Sequence, residues 1–331
     1  MINSDHFRDA RILYFDISPN YYPLSIKKSI EKQGGTVDFF AFENDSFLSK
    51  LYRNTNKTIW LKHQHILFKS WLSKIKSKNY DYLLIKAPFK APLSLIEEIS
   101  NTFSAIRRIN YNWSSVAMFD FLPYQHFFDR VISFDPDDCK AYNLEYYPLF
   151  FTDDYKNARS EILQHDKDID VLFVGSAYSK GRFKFIKNVE KYCENNGLTY
   201  FFYLFQNLSK IEHLKRIVKR TNILDVKSKF LSHAEIIDLF KRSKVIIDHP
   251  MEIQSGLTMR TFETLGAGLK LITTNKNIIN EPFYDKDTIS ITTNQANFDI
   301  SFLTVYNSKF NEKIDNYHID KWTQHILGAT N

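Results

Sequence analysis

The chain has 331 residues, 44% of them hydrophobic and 25% charged, a balance that excludes a disordered chain and gives a length better served by two cores than by one. Its two cysteines, Cys139 and Cys193, stand far apart without metal-ligand spacing and read as reduced thiols, which excludes a disulfide scaffold or a zinc site. The net charge of +6 is mild: it suits an anionic ligand or an acidic membrane surface and does not by itself argue for nucleic acid.

Aromatic residues make up 16% of the chain, more than half of them Phe, and sugar- and lipid-facing surfaces are one use for such a surplus beyond core packing. Met1 to Ala10 is polar, and no apolar run approaches the ~20 residues of a membrane span. The expectation is a cytoplasmic protein.

In chain order, Arg11 to Ile17 is a short apolar run closed by Ser18-Pro19-Asn20, a buried strand and its loop. Leu24 to Gln33 follows as a helix stopped by Gly34-Gly35, then Thr36 to Phe42 as a second strand. Further strands are expected at Tyr82 to Ile85, Val116 to Phe119 and Arg130 to Phe134. A polar stretch, 151–168, reads as a linker between a first domain, 1–150, and a second, 169–305, with a C-terminal helical segment, 306–331, free to pack back on the first. In the second domain strands are expected at Asp170 to Gly175, Thr199 to Leu204, Lys244 to Asp248 and Leu269 to Thr274. Helices are expected at Arg182 to Asn195, at Ala234 to Arg242 behind a Ser232/Glu235 capping box, and from about Asn311 to Leu327. Alternating strands and helices imply right-handed crossovers and a mostly parallel sheet in each half, with ligands at the C-terminal ends of the strands.

The segment richest in chemistry runs from His249 to Gly268, between two expected strands. Ser255-Gly256 is a turn whose N–H groups can point one way, and Leu257, Thr258 and Met259 lead into a helix start whose N–H groups and dipole suit a phosphate. Arg260 adds a guanidinium matched to phosphate oxygens, and Glu263, one turn on, a carboxylate able to accept from two ribose hydroxyls. The bland alternative is an amphipathic surface helix with Arg260 and Glu263 paired at i,i+3.

Ser255 to Gly268, running into Leu271 to Thr274, resembles the donor segment of GT-B glycosyltransferases, especially the CgeB-like group, and is similar to the retaining family-4 enzymes. Glu263 matches the second of that family's two glutamates, while Ser255 stands at the first. The resemblance implies an α/β GT-B fold, two Rossmann-like doubly wound domains facing across a cleft, with His249, Ser255, Gly256, Leu257, Thr258, Met259, Arg260 and Glu263 at the donor. It implies a nucleoside diphosphate sugar as co-substrate, no cofactor and no bound metal.

Val174 to Arg182 is similar to the strand-loop where GT-B enzymes place a basic pair on the donor diphosphate; Lys180 or Arg182 fits that role, with Arg260 opposite, Gly175 lining the donor site and Ser176 at the family's arginine position. Pre-placed cations favour the departing diphosphate over the bound one. Asp120 and Asp16, each at an expected strand end, are the rival candidates for the base that deprotonates an acceptor. His249 is read as a base or ribose contact, or as a packing histidine. Asp135, Asp137 and Asp138 read as a helix start capped by Asp135 rather than as a metal site.

Trp60 to Lys78 is a basic helix with Leu61, Phe68, Leu72 and Ile75 on one face: a core helix with solvated lysines, or a peripheral membrane contact. The reading is a transferase that builds a surface glycan, such as capsule or lipopolysaccharide, on a glycan or lipid-linked acceptor, with no nucleic-acid partner. A sugar-nucleotide epimerase and a non-catalytic sugar-nucleotide-binding subunit are the alternatives.

Overall fold

The structure is a computed structural model and describes residues 5–43, 52, 55–104, 106–177, 179–206, 226–293, 295–304 and 312–328. Two compact units emerge. The first comprises Met1–Phe150, Glu252–Gly256 and Tyr317–Asn331; the second comprises Phe151–Met251 and Leu257–Asn316.

In the first unit β1 (Arg11–Asp16), β2 (Thr36–Ala41), β3 (Tyr82–Lys86), β4 (Arg107–Asn112), β5 (Arg130–Ser133) and β6 (Glu145–Tyr146) form a sheet of order β2-β1-β3-β4-β5-β6. Every pairing is parallel. Helices α1 (Tyr21–Lys32), α2 (Lys57–Ile75), α3 (Leu93–Thr102) and α4 (Pro136–Tyr142) connect the strands. Phe15, Leu83 and Ile85 from the sheet pack with Phe68, Leu72 and Ile75 of α2 and with Ile96 and Ile99 of α3 in one core cluster. Each such side chain contributes about 1.5–3 kcal/mol by leaving water. The buried face of α2 is therefore a core face, while Lys62, Lys69 and Lys74 are exposed; the side chain of Leu61 lies outside what is described.

The strand expected at Val116–Phe119 is a turn, and the strand there is β4. The Val116 N–H donates to the Asp138 carboxylate (2.7 Å), and the Ser115 carbonyl accepts from Met118 and Phe119, which closes the segment on itself. Strand β4 buries asparagines instead: Asn110 donates to the Ile85 carbonyl (2.8 Å) and Asn112 to the Asn110 side chain (2.7 Å), so both amide N–H groups find acceptors while the Asn112 Oδ1 accepts none.

In the second unit the sheet order is β12-β11-β10-β7-β8-β9, again parallel throughout. Its strands are β7 (Ile169–Ser176), β8 (Tyr200–Phe205), β9 (Val226–Lys227), β10 (Ser243–Asp248), β11 (Lys270–Thr273) and β12 (Ile289–Ile291). Helices α5 (Asp153–Gln164), α6 (Lys180–Asn195), α7 (His233–Arg242), α8 (Met259–Gly266) and α9 (Ser301–Thr304) belong to it. The polar stretch expected as a linker forms α5, with Asp153 and Asp154 in its first turn and Tyr155 and Ile162 on its buried face. The capping box of α7 is present, Ser232 and Glu235 bonding reciprocally.

The terminal helix is shorter than expected: α10 (Ile319–Leu327) follows a 3₁₀ turn at Glu312–Tyr317, and Asn311 lies outside the described residues. It docks within the first unit, with Trp322 fully buried against Tyr111 and Phe150 and donating to the Pro148 carbonyl (3.1 Å).

Candidate active site

Each sheet reverses its order of growth once: between β7 and β10 in the second unit and between β1 and β3 in the first. The crevice outside the C-terminal strand ends at such a switch point is where open α/β sheets bind ligands. In both units a cation spans it.

In the second unit that cation is Arg182, in the first turn of α6. Its Nη1 donates to the Ser176 carbonyl at the end of β7 (3.1 Å), and its Nη2 donates to the His249 carbonyl just past β10. The guanidinium lies 5.9 Å from the Phe173 ring centroid, and the residue is buried. Gly175 makes room for this packing, since a Cβ there would stand 2.8 Å from the Phe173 ring. Lys180, at the first position of the same helix, is exposed; Tyr178 lies outside the described residues. His249 is buried with its ring tilted on Phe185 at 4.6 Å, the packing alternative of the sequence reading.

Helix α8 begins at Met259, and its start is tied to the sheet. Thr258 is the N-cap, its hydroxyl oxygen accepting from the Thr261 N–H (3.4 Å). The Asp248 carboxylate, last residue of β10, accepts from the hydroxyls of Thr258 (2.8 Å) and Thr261 (2.9 Å). A donated proton leaves the Thr258 oxygen oriented to accept from the helix, so one buried carboxylate fixes the cap and the first turn together. Leu257 and Met259 are buried on either side of the cap.

That first turn carries Arg260, which pairs at 2.9 Å with Glu263 one turn on. Glu263 is almost wholly buried, its side chain 2% exposed, against 17% for Arg260, whose guanidinium lies 5.3 Å from the Phe240 ring centroid. His233 completes the group. Burial pushes its imidazole below its ordinary pKa, against the opposing fields of Glu263 and Asp154, whose carboxylate is 3.5 Å from its Nε2. Asp248 and His233 were not singled out from the sequence; a carboxylate closing an apolar strand ten residues before a threonine cap is the signal for Asp248.

Ser255 and Gly256 belong to the first unit. Their N–H groups do point one way, at the carboxylate of Asp135, which accepts from Ser255 N (2.7 Å), Gly256 N (3.2 Å) and the Ser255 hydroxyl. The same carboxylate caps α4 through Asp137 N (3.1 Å) and Asp138 N (3.2 Å), as the sequence reading had it. An internal carboxylate thus occupies the anion nest of this turn. Gly256 is required by the close approach: a Cβ would stand 2.5 Å from the Phe134 ring.

At the first unit's switch point the cation is Lys86, at the end of β3. It pairs with Asp16, at the end of β1, at 2.7 Å, with side chains 5% and 4% exposed. Asp16 also accepts from the Tyr14 hydroxyl and the Ile17 N–H (2.7 Å), and the Lys86 ammonium sits 4.0 Å over the Trp113 ring. Burial lowers the pKa of Lys86 against the pull of Asp16, and burial, then the Asp16 charge, raises that of Tyr14. The residue after Lys86, Ala87, takes a left-handed φ of 55° and turns the chain sharply. Asp120 lies in a different setting: it is exposed, and one oxygen accepts from the Leu122 N–H (3.0 Å).

No protein-family model and no curated protein matches this sequence. Solved structures do match over nearly the whole chain. An α-glucosyltransferase in complex with UDP and a mismatched 13-mer DNA is 12% identical, with a TM-score of 0.56, covering 97% of this chain and 96% of that one. The UDP-N-acetylglucosamine 2-epimerase of Rickettsia bellii is 9% identical, with a TM-score of 0.54 and coverage of 97% and 96%. The lipopolysaccharide outer core galactosyltransferase WaaB is 12% identical, with a TM-score of 0.51 and coverage of 96% and 98%. The chain has the fold these enzymes share, the two-unit α/β architecture of the GT-B glycosyltransferases.

Proposed function

We propose that the chain is a glycosyltransferase that takes a nucleoside diphosphate sugar on its second unit and transfers the sugar to a glycan acceptor held by the first. The observation that carries the reading is the linkage from Asp248 through Thr258 to the first turn of α8, which fixes Arg260 and Glu263 beside the switch point of the second sheet. Glu263 receives the ribose hydroxyls, and Arg260, released from it in part, turns to the diphosphate. Lys180 supplies the further positive charge, while Arg182 braces the ends of β7 and β10 and His249 packs behind them. Cationic side chains and a helix start do here what a metal would do elsewhere.

On the acceptor side Asp120 takes the proton of the attacking hydroxyl. Its exposure favours it over Asp16, whose three donors hold it as a strut at the sheet edge. A lipid-linked acceptor of surface-glycan synthesis fits the outer face of α2, where Ile59 and Ile66 stand exposed among Lys62 and Lys69. No helix among the described residues is long and apolar enough to cross a membrane.

The test is thermal-shift and calorimetric screening against nucleoside diphosphates and their sugars, then radiolabelled transfer to candidate acceptors. Glu263→Gln is expected to weaken nucleotide binding roughly tenfold, the value of one charged hydrogen bond. Epimerised donor in the absence of acceptor would overturn the reading in favour of an isomerase.

A further inference from the structure

Phe89 and Phe119 come from different loops at the C-terminal edge of the first sheet. Phe89 lies in the 3₁₀ turn Pro88–Lys90 after β3, and Phe119 in the turn after β4. Their rings are stacked at 4.5 Å with planes 3° apart, and Phe119 is 39% exposed. An aromatic ring this exposed gains little from burial. It is nevertheless held flat: Phe89 lies against it, and the left-handed Ala87 sets the direction of the loop that carries Phe89.

The rim is polar and locally balanced. Lys90 Nζ stands 5.7 Å from the Phe119 centroid and donates to Glu43 (3.2 Å), just past the end of β2. Asp120 follows Phe119 directly and is exposed. A flat apolar ring with one ammonium over it, that ammonium paired with Glu43, and an exposed carboxylate on the next residue offers hydroxyl donors and acceptors alike, with no excess of positive charge for an anion. That is the chemistry of a neutral sugar, which presents an apolar C–H face and a ring of hydroxyls.

We infer that Phe119 is the stacking platform for a neutral pyranose of the acceptor, with Lys90 and Asp120 bonding its hydroxyls. The inference rests on the glycosyltransferase reading for the name acceptor, and it names the substrate class and the residue that selects it. A sugar lying on Phe119 has a hydroxyl beside the residue proposed as base, so binding and deprotonation share one loop.

The experiment is saturation-transfer NMR on the full chain, with and without saturating nucleoside diphosphate, using methyl glycosides of glucose, galactose and N-acetylglucosamine as probes. At least one glycoside is expected to show transfer concentrated on the protons of one pyranose face. Phe119→Ala and Phe119→Leu should each weaken that binding roughly tenfold, because Leu keeps apolar volume but not the flat ring, and Phe119→Trp should restore it. An unchanged tryptophan-detected unfolding transition in these variants shows that folding is not the cause.

The platform is overturned if no glycoside binds, or if Phe119→Leu binds as the parent does. The two readings fail separately. Nucleotide binding without glycoside binding removes the platform and leaves the donor site. Glycoside binding that depends on Phe119, without any nucleotide binding, removes the transferase and leaves a carbohydrate site.

Discussion

The Asp16–Lys86 pair joins β1 to β3 at the point where the first sheet changes direction, and its removal should be costly in a specific way. Both side chains are about 95% withdrawn from solvent. Asp16→Ala leaves the Lys86 ammonium buried with the Trp113 face but no carboxylate, and it strips the Tyr14 hydroxyl and Ile17 N–H of their acceptor. Breaking a buried pair from one side costs about 3–5 kcal/mol. In a unit of this size that lowers the Tm by roughly 6–20 °C. Lys86→Met should cost less, because Asp16 keeps two of its three donors. The double variant Asp16→Ala with Lys86→Met removes both charges and should cost less than the sum of the two single variants, a coupling of about 2 kcal/mol or more. All four tryptophans, Trp60, Trp71, Trp113 and Trp322, lie in the first unit, so their emission follows its unfolding selectively. Single variants within 2 °C of the parent, or a double variant as unstable as the sum, would refute the role of the pair as a strut.

Gly256→Ala places a Cβ 2.5 Å from the Phe134 ring and 2.6 Å from its carbonyl oxygen, and is expected to cost the first unit about 1–3 kcal/mol, read on the same tryptophan signal. Glu145 gives a pH dependence. Burial works to raise its pKa, yet the hydrogen bonds and charge of Arg130, with His325, hold it below its ordinary 4.5. A depressed folded value means stabilisation that is complete above the unfolded pKa and lost as pH falls through the folded one. Urea titrations from about pH 6 downward should therefore show a loss of first-unit stability that Glu145→Gln makes shallower. In the second unit Asp248→Asn weakens two hydrogen bonds to a charged acceptor and should cost about 1–2 kcal/mol. Circular dichroism should register that loss while the tryptophan transition stays in place; a shift of both would show that Asp248 does not act through the cap of α8 alone.

Much of the fold was legible because its central strands are short apolar runs between turn residues. Residues 11–16, 82–86, 169–176 and 243–248 carry that pattern and form the middle of the two sheets. Strand β4 escaped because its buried positions include Asn110 and Asn112, whose side-chain N–H groups donate to carbonyls of neighbouring strands that sequence order does not reveal. Val116–Phe119 misled for the complementary reason: it is apolar, but Asp138, 22 residues later, holds its backbone in a turn. The candidate site divides the same way. Arg260 and Glu263 were readable as an i,i+3 pair, and Asp16 as a carboxylate at a strand end.

What could not be read were partners fixed only by topology. Lys86, 70 residues from Asp16, reads in sequence as a solvated lysine closing a strand. Only the order of the sheet shows that β3 is the strand on which the crossover from β1 and β2 returns, so that its last residue must meet the last residue of β1. The second unit repeats the logic with Arg182, whose two carbonyl acceptors close β7 and β10. A doubly wound sheet leaves one gap where neighbouring strand ends diverge, and a long cation reaching across it is a physical answer to the unpaired carbonyls and carboxylates gathered there. Finding such residues from sequence therefore requires pairing strand ends by the winding rule first, and asking which side chains are long enough to bridge them second.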